Sequence, residues 1–428
     1  YAALSLGFLE FTDFIVSSFL ISPHWNRVAL TLVLLLIPSV LLLAYHHGLA
    51  RRGQLSIVEK IGIPANLALA AGVLVALFVG VDLSAVTTSI SVEDEEGNVV
   101  ERVAVKQEFR KRVSWFFFDT SEGLPDEDSW VSYLVPDAIL LDLAADDFFA
   151  PVNPDFESLR SAGYRELRNV PLSLQVQMAR DLKTGHFFVG DVARSGDGFL
   201  ISTRLHDSET GSLVIDRSYE GEDVLDLVDR ITIDLKRDLE IPARDDIEDL
   251  PVSERLSTDR AALKGYARGY LEAHLVASDF DVAIEELSRA VDADPTFALA
   301  QFVLASSFQL SNRLDEAQEP MRAAMDNLYR IPERFQFVVK AEYYLFAQDY
   351  GRAEAVVRVW AALYPEDRIA LDRLRGIQEF RGDLPGTLAT LQALYRLSPE
   401  DRSLLQRIAH IYRLMARYDA SRVALEEY

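Results

Sequence analysis

The sequence predicts an α+β membrane protein in three parts: three N-terminal transmembrane helices, a mixed α/β domain, and an all-α solenoid of helical repeats. Three observations carry this. Three apolar runs, each near the ~20 residues that a helix needs to cross hydrocarbon, lie at 1–21, 27–46 and 61–83. Between 84 and 250, short strand-like runs alternate with helical patterns. From 251 to 428, a phrase of small and apolar residues closed by proline recurs every 34 residues.

Length and composition bound the rest. A chain of 428 residues holds two or three domains. It has no cysteine, which excludes disulfides, thiolate chemistry and thiolate metal sites. The net charge is −24, and residues 1–83 contribute none of it: Glu10, Asp13, Glu59 and Asp82 balance Arg27, Arg51, Arg52 and Lys60. So acidic a surface repels nucleic-acid backbones and anionic lipid headgroups. Only 7 of the 43 basic residues are lysine. This fits a salty medium or an Arg-favouring genome, and both stay open. The chain starts at Tyr1 and stops at Tyr428 inside a helical phrase, so a longer gene product is expected.

The second apolar run carries no charge from Val28 to Tyr45, and the third none until Asp82. Between them lie His46, His47, Arg51, Arg52 and Lys60. The positive-inside rule puts this loop in the cytoplasm, so residues 84–428 are expected outside. The first run differs. Glu10 and Asp13 share a helix face within it, where ionisable groups are expensive. Pro38 on the second run frees a carbonyl, and Ser39 offers a hydroxyl at about the depth of Glu10. One reading is a proton- or partner-sensing site made of Glu10, Asp13 and Ser39. The other is a hydrogen-bonded set that pins helices together.

In the middle part, VTTSISV and VVERVAV flank an acidic turn with Gly97 and Asn98, a hairpin signal. The acids Glu93–Glu96 lack calcium-ligand spacing and read as a solvated turn. Then come a buried strand at 112–119, a helix at 128–146 containing Pro136, a short strand at 148–152, and helices near 154–162 and 171–182. Three alternating strands follow (HFFVGDVAR, FLISTRLHD, SLVIDRSYE), and a helix at 222–240 closes the unit. The stretch FVGDVARSGDGFLISTRLHDSETGSLVIDRSYEG and its following helix resemble the amino-terminal domain of TolB. The whole chain resembles bacterial membrane proteins in which a TolB-like domain precedes helical repeats, including the position of Asp13 in the first span. The resemblance implies architecture and a multi-pass bacterial inner-membrane location. It implies no single activity, because such pairs are attached to regulators, cyclases, kinases and hydrolases alike.

The repeat phrase is Ala283, Leu287, Ala290, Pro295; then Ala353, Val357, Trp360, Pro365; then Thr387, Leu391, Leu394, Pro399. This resembles the tetratricopeptide (TPR) repeat, a helix pair per unit. Frames start near Lys264, Ala298, Glu333, Arg368 and Arg402, about five repeats. Pro295 and Pro365 are 70 apart, which places a two-residue insertion near Tyr329–Pro332. Repeat two keeps Ala317, Met321 and Ala324, and repeat five has Ser421 where a small residue belongs. Packing through Ala305, Ala341 and Ala409 lets units stack and bury faces that one unit cannot. Frame counting puts Phe302, Gln309, Glu342, Phe346, Glu379, Phe380, His410 and Arg413 on the concave side, as the partner-binding candidates. Each of these also has a plain reading, as interhelical core or solvated surface.

Catalytic signatures are missing: no HExxH, GxxxxGK, GxGxxG or GxSxG occurs. His186 and His206 can meet across a hairpin but lack a third ligand. Asp142, Asp146 and Asp147 cluster in an acid-rich chain where clusters arise by chance. No catalytic residue, metal or cofactor is expected. The function expected is a non-catalytic scaffold that binds an envelope protein or peptide and holds it at the membrane, as a homo-oligomer or as a subunit of a larger complex. Two alternatives are a transmembrane sensor with a cytoplasmic output and the anchor of a longer enzyme.

Overall fold

A computed structural model describes residues 1–19, 21–47, 56–81, 83–121, 123–154, 156–164, 166–242, 250–276 and 280–428. The chain forms two compact units, one holding residues 1–88 and the other the bulk of 89–428.

The first unit has three helices: α1 (Ala2–Ser18), α2 (His24–His47) and α3 (Ile57–Phe78). Two segments, His24–Tyr45 and Ile57–Phe78, are long and apolar enough to cross a membrane. The expected three spans thus become two by this measure. The first helix has 17 residues, which at 1.5 Å each is about 25 Å, short of the ~30 Å hydrocarbon core. Helix α3 starts where Ser56 and Glu59 form a reciprocal capping box, with Glu59 N–H donating to Ser56 Oγ (3.2 Å) and Ser56 N–H to the Glu59 carboxylate (2.7 Å). The segment after α3 returns to the α1–α2 turn, where Trp25 Nε1 donates to the Leu83 carbonyl (2.9 Å). The loop carrying Arg51 and Arg52, Asp82, and the side chains of His46 and His47 lie outside the described residues.

The second unit opens with a hairpin, β1 (Thr87–Glu93) and β2 (Val99–Val105). Its turn is closed by the Asp94 carboxylate, which accepts from the N–H groups of Glu96 (3.0 Å) and Asn98 (2.8 Å). These bonds hold the exposed Asp94 carboxyl below its usual range, the Asn98 N–H most of all. There follow β3 (Lys111–Trp115), β4 (Asp119–Thr120), α4 (Val131–Leu143), β5 (Phe149–Val152), α5 (Phe156–Ser161) and α6 (Leu172–Asp181). Then come β6 (His186–Ser195), β7 (Gly198–Asp207), β8 (Leu213–Gly221) and α7 (Val224–Asp238). The sheet order is β5-β3-β6-β7-β8, with β4 also on β6. The β5-β3-β6 side is parallel, and β6-β7-β8 is an antiparallel meander. The predicted strand at 112–119 is regular only to Trp115, and Phe116–Phe118 then fill the core as irregular backbone. Pro136 lies inside α4, which starts upstream of it at Val131.

The helical part runs α8 (Val252–Arg255), α9 (Arg260–Tyr270), α10 (Phe280–Ala293), α11 (Ala298–Leu310), α12 (Leu314–Asp326), α13 (Glu333–Phe346), α14 (Tyr350–Leu363), α15 (Arg368–Arg381), α16 (Leu384–Leu397), α17 (Ser403–Leu414) and α18 (Tyr418–Glu427). From α9 onward these are five antiparallel pairs. Ala283, Ala290, Ala317, Ala324, Ala353 and Thr387 are wholly buried, which is why small residues recur: they let paired helices approach closely. Ser421 fits as a small residue, and its hydroxyl donates to the Ala409 carbonyl (2.8 Å). The insertion is a short 3-10 turn at Leu328–Arg330.

In pairs two to five the turn between the two helices uses one left-handed residue: Asn312, Gln348, Gly382 and Ala416, with φ of 58°, 59°, 74° and 57°. Only the fourth pair places glycine there. A Cβ in this region costs roughly 1–2 kcal/mol, so Gln348→Gly and Ala416→Gly should each stabilise the fold, net of glycine's extra unfolded-state entropy, by about 0.5–1 kcal/mol. Urea denaturation checks this, and an unchanged or lowered midpoint refutes it.

The α/β part and the repeats share one core. A single apolar cluster runs from Val113 and Phe187 in the sheet through Leu134 and Val228 in its helices to Tyr266, Leu287 and Val303 in the repeats. Beyond it, polar contacts join the two parts. Arg110, just before β3, pairs with Glu366 in the α14–α15 turn at 2.6 Å, and both side chains are almost fully buried. Arg110 also donates to the Leu363 carbonyl (2.6 Å). The Tyr364 ring lies between the guanidinium groups of Arg110 and Arg334, at 4.8 and 4.7 Å. Its hydroxyl donates to Asp147 (2.9 Å), and Arg334 pairs with Asp367 (3.0 Å). The hairpin is held on α13 by the ion pairs Glu95–Lys340 and Arg102–Glu333, with Ala104 buried against Phe337 and Ala341.

Candidate functional site

Polar candidates are judged by what already holds them. In the first unit, Asp13 accepts from Asn26 Nδ2 (2.7 Å). The site beside Pro38 is filled from α3: Asn66 Nδ2 donates to the Leu35 carbonyl (2.9 Å) and to Ser39 Oγ (2.8 Å). Glu10 and Asp13 are both exposed within this unit. Of the three residues grouped by sequence, Asp13 bonds to Asn26 and Ser39 to Asn66.

Of the eight concave-face candidates, the charged ones are engaged within the stack. Glu342 pairs with Arg373 (2.8 Å), and its burial raises its carboxyl pKa against the pull of that arginine. Glu379 pairs with Arg375 (2.7 Å), and His410 Nδ1 lies 2.8 Å from an Arg413 nitrogen. Phe302 is half-buried, and Gln309 Nε2 is buried with no acceptor among the described residues. Two aromatics stand apart. Phe380 is 69% exposed and lies 4.5 Å from the Tyr350 ring, centroid to centroid. Phe346 lines a groove of about 390 Å³ with Leu314, Gln318, Met321, Arg322, Tyr343 and Ala347.

That groove opens between the first turns of α12 and the end of α13, away from the inserted turn that joins the other ends of these helices. It belongs to a larger pattern that frame counting missed. Leu310, Phe346, Phe380 and Leu414 occupy the same place in successive pairs, at the end of the first helix. Leu314, Tyr350, Leu384 and Tyr418 open the second helix of the same pairs. Leu310, Leu314, Phe380, Leu414 and Tyr418 are each more than half exposed. One edge of the stack, made of the turns within each pair, thus carries a double row of large apolar side chains. The signal was available in the spacing of 36, 34 and 34 residues, but it concerns residues the core does not use.

The remaining chemical candidates are structural. Asp146 accepts from the Phe148 N–H (2.9 Å), Asp147 from Tyr364, and Asp142 faces Arg255 at 3.7 Å. His186 is registered opposite Asp207 and His206 opposite Phe187, which puts the two histidines on opposite faces of the sheet. His206 stacks on Phe187 with centroids 5.2 Å apart. Among the described residues no group of three or more His, Asp or Glu is placed to hold a metal.

No protein-family model matches the chain, and no curated protein matches it. Solved structures similar to it are TPR-repeat proteins. One is MamA MSR-1, with 18% identity over 40% of this chain and 95% of that one, at a TM-score of 0.33. Another is MamA AMB-1, with 17% identity over 40% and 97% at 0.33. A third is the APC/C hetero-tetramer Cut9–Hcn1, with 20% identity over 39% and 32% at 0.32. These likenesses concern fold alone and carry nothing about partners.

Proposed function

We propose that this chain is a non-catalytic, membrane-anchored adaptor. Helices α2 and α3 hold it in a bacterial inner membrane. Its TolB-like domain and TPR stack stand on the periplasmic side, where they bind another envelope protein or peptide. The observation that carries this reading is the apolar edge of the stack. Monomeric soluble surfaces rarely line up large apolar side chains in a contiguous row, and such rows mark binding sites.

The test uses the native protein in its own membrane. A photo-crosslinking residue at Ser311 or Gly382, beside the edge, should trap one envelope protein in stoichiometric yield, while one at the exposed Arg289 should not. Equal labelling at all three sites, or none, would reject the adaptor reading. Protease added to intact spheroplasts should digest residues 84–428, and full protection would reject their outward placement. Deleting the repeats is a poor control, because it opens the core they share with the sheet.

A further inference from the structure

We infer that the free edge of the six-stranded sheet, strand β8, receives an extended segment of a partner protein, apolar on the side that meets α7 and basic on the other. The inference adds a second docking surface to the adaptor reading, one that lies on the α/β domain and does not use the apolar row of the stack.

The first argument is the backbone. The two outer strands of this sheet are β5 and β8. Strand β5 is blunted: it has four residues, one of them Pro151, and Arg334 of the repeats donates to its Phe149 carbonyl (3.4 Å). Strand β8 has nine residues and no proline. Outside its ladder with β7, its backbone has one hydrogen-bond partner among the described residues, the Arg230 guanidinium on the Glu220 carbonyl (3.1 Å). That carbonyl faces outward, while the next one, of Gly221, lies against Gly198 of β7. By the alternation of an antiparallel ladder, the N–H and C=O groups of Ser218 and Asp216 face outward too. Such a row of donors and acceptors is the template for another strand.

The second argument is the side chains around that row. Among the described residues of 106–241, the large apolar side chains left exposed are Leu172, Leu213, Val214 and Ile233, each 45–58% exposed. All four flank β8. Leu213 and Val214 begin the strand. Leu172 lies one turn before Val176 on α6, and Val176 packs on Gly211 in the β7–β8 turn. Ile233 shares a stripe of α7 with Arg230 and Arg237, and Arg230 also reaches over the Tyr219 ring of β8 (5.7 Å). A strand laid on β8 sets one face against that stripe, where Ile233 offers an apolar seat. Its other face lines up with Val214, Asp216, Ser218 and Glu220, all exposed. Arg204, opposite Asp216 in register, is held by Asp191 (2.7 Å), and Asp216 makes no ion pair among the described residues. Lysine or arginine opposite Asp216 and Glu220, with an apolar residue beside Val214, completes the pattern. Charge also argues against a second copy of this chain as the occupant. Set edge to edge with its helices on the same side, it would bring its own Asp216 and Glu220 to the same face.

The experiment uses the full chain in phosphatidylcholine nanodiscs, with empty nanodiscs in excess. A displayed library of random peptides is panned on it, and enriched peptides are synthesised with a carbon-13 carbonyl label and titrated. The expected consensus alternates apolar residues with Lys or Arg, and the label in the bound peptide gives the amide I band of a β-strand. Affinity should fall about tenfold or more for Ser218→Pro, which removes an outward N–H and leaves the ladder with β7, and likewise for Ile233→Glu. Asp216→Lys should weaken the same peptides, and exchanging their basic residues for Glu should restore binding to that variant. Ile233→Glu and Asp216→Lys change exposed side chains alone, so they decide the matter if Ser218→Pro does not fold. Peptides that bind as helices, or that bind Ser218→Pro and Ile233→Glu as tightly as the natural chain, would overturn this inference and leave the adaptor reading to its crosslinking test. No enrichment above empty nanodiscs would overturn it as well. Two chains per complex, reduced to one by Ser218→Pro, would make a second copy the occupant and overturn the partner.

Discussion

Arg110→Ala should lower the stability of the second unit by about 3–5 kcal/mol, the usual cost of leaving one member of a buried ion pair alone. The partner left behind is Glu366, whose side chain is 2% exposed and makes no other ion pair among the described residues. Glu366→Ala should cost a similar amount. Both atoms Arg110 Nε and Glu366 Oε2 are buried without a hydrogen-bond partner even in the natural chain. The pair is therefore imperfectly satisfied, and Arg110→Met combined with Glu366→Leu should recover most of the loss. The single variants should also change the shape of unfolding. With the clamp opened, the sheet and the last repeats are expected to melt in two steps, read by urea titration with separate tryptophan and far-UV signals. Single variants within 1 kcal/mol of the natural chain would show that the apolar core alone joins the two parts.

The second large effect is a pH dependence. Asp137 on α4 is half-buried where α4 meets α9, and it accepts a hydrogen bond from the Tyr266 hydroxyl (3.0 Å). Burial pushes its carboxyl pKa up to about 6, against the lowering effect of that hydroxyl. The group is raised above its unfolded value of 3.8. Its contribution is then fully present below pH 3.8 and is lost as pH rises through 6. The difference corresponds to about 3 kcal/mol at neutral pH. Asp137→Asn keeps an acceptor for Tyr266 and removes the charge. It should gain up to about 3 kcal/mol on the natural chain at pH 7.5 and almost nothing at pH 4. Subtracting the two stability curves cancels the many surface carboxylates. A difference that is flat with pH would mean that folding leaves the Asp137 pKa unshifted.

Much of this architecture was legible because it repeats or alternates. The meander of β6, β7 and β8 is written in two-residue periods between glycine turns. The helix pairs are written in Ala353, Trp360 and their equivalents, since close packing admits few residue types. The 70-residue gap located the inserted turn. What was not legible depends on residues far apart. Nothing local in Arg110 or Glu366 marks them as partners, and a basic Arg110-Lys111-Arg112 run before a strand reads as surface. Frame counting also gave no sign that Glu342 pairs with Arg373 of the next repeat, or that Glu379 and His410 are engaged by arginines of their own helices. The first apolar run looked like a span by hydropathy, while its helix is too short by the time Pro23 begins the turn into α2. For the candidate site, Phe346 and Phe380 were named for the concave surface; the structure places both in the last turn of the first helix of their pairs, next to the apolar residues that open the second helix.

The clamp also has a history in time. Arg110 and Glu366 are 256 residues apart. At 5–20 residues per second of synthesis, Arg110 leaves the ribosome roughly 13 to 50 seconds before its partner exists. The sheet's helix α4 likewise waits for α9 to pack against it. For that interval the half-made chain shows apolar surface and an unmatched guanidinium. The α/β domain, though it precedes the repeats along the chain, therefore completes its packing only once the repeats that contact it have been made.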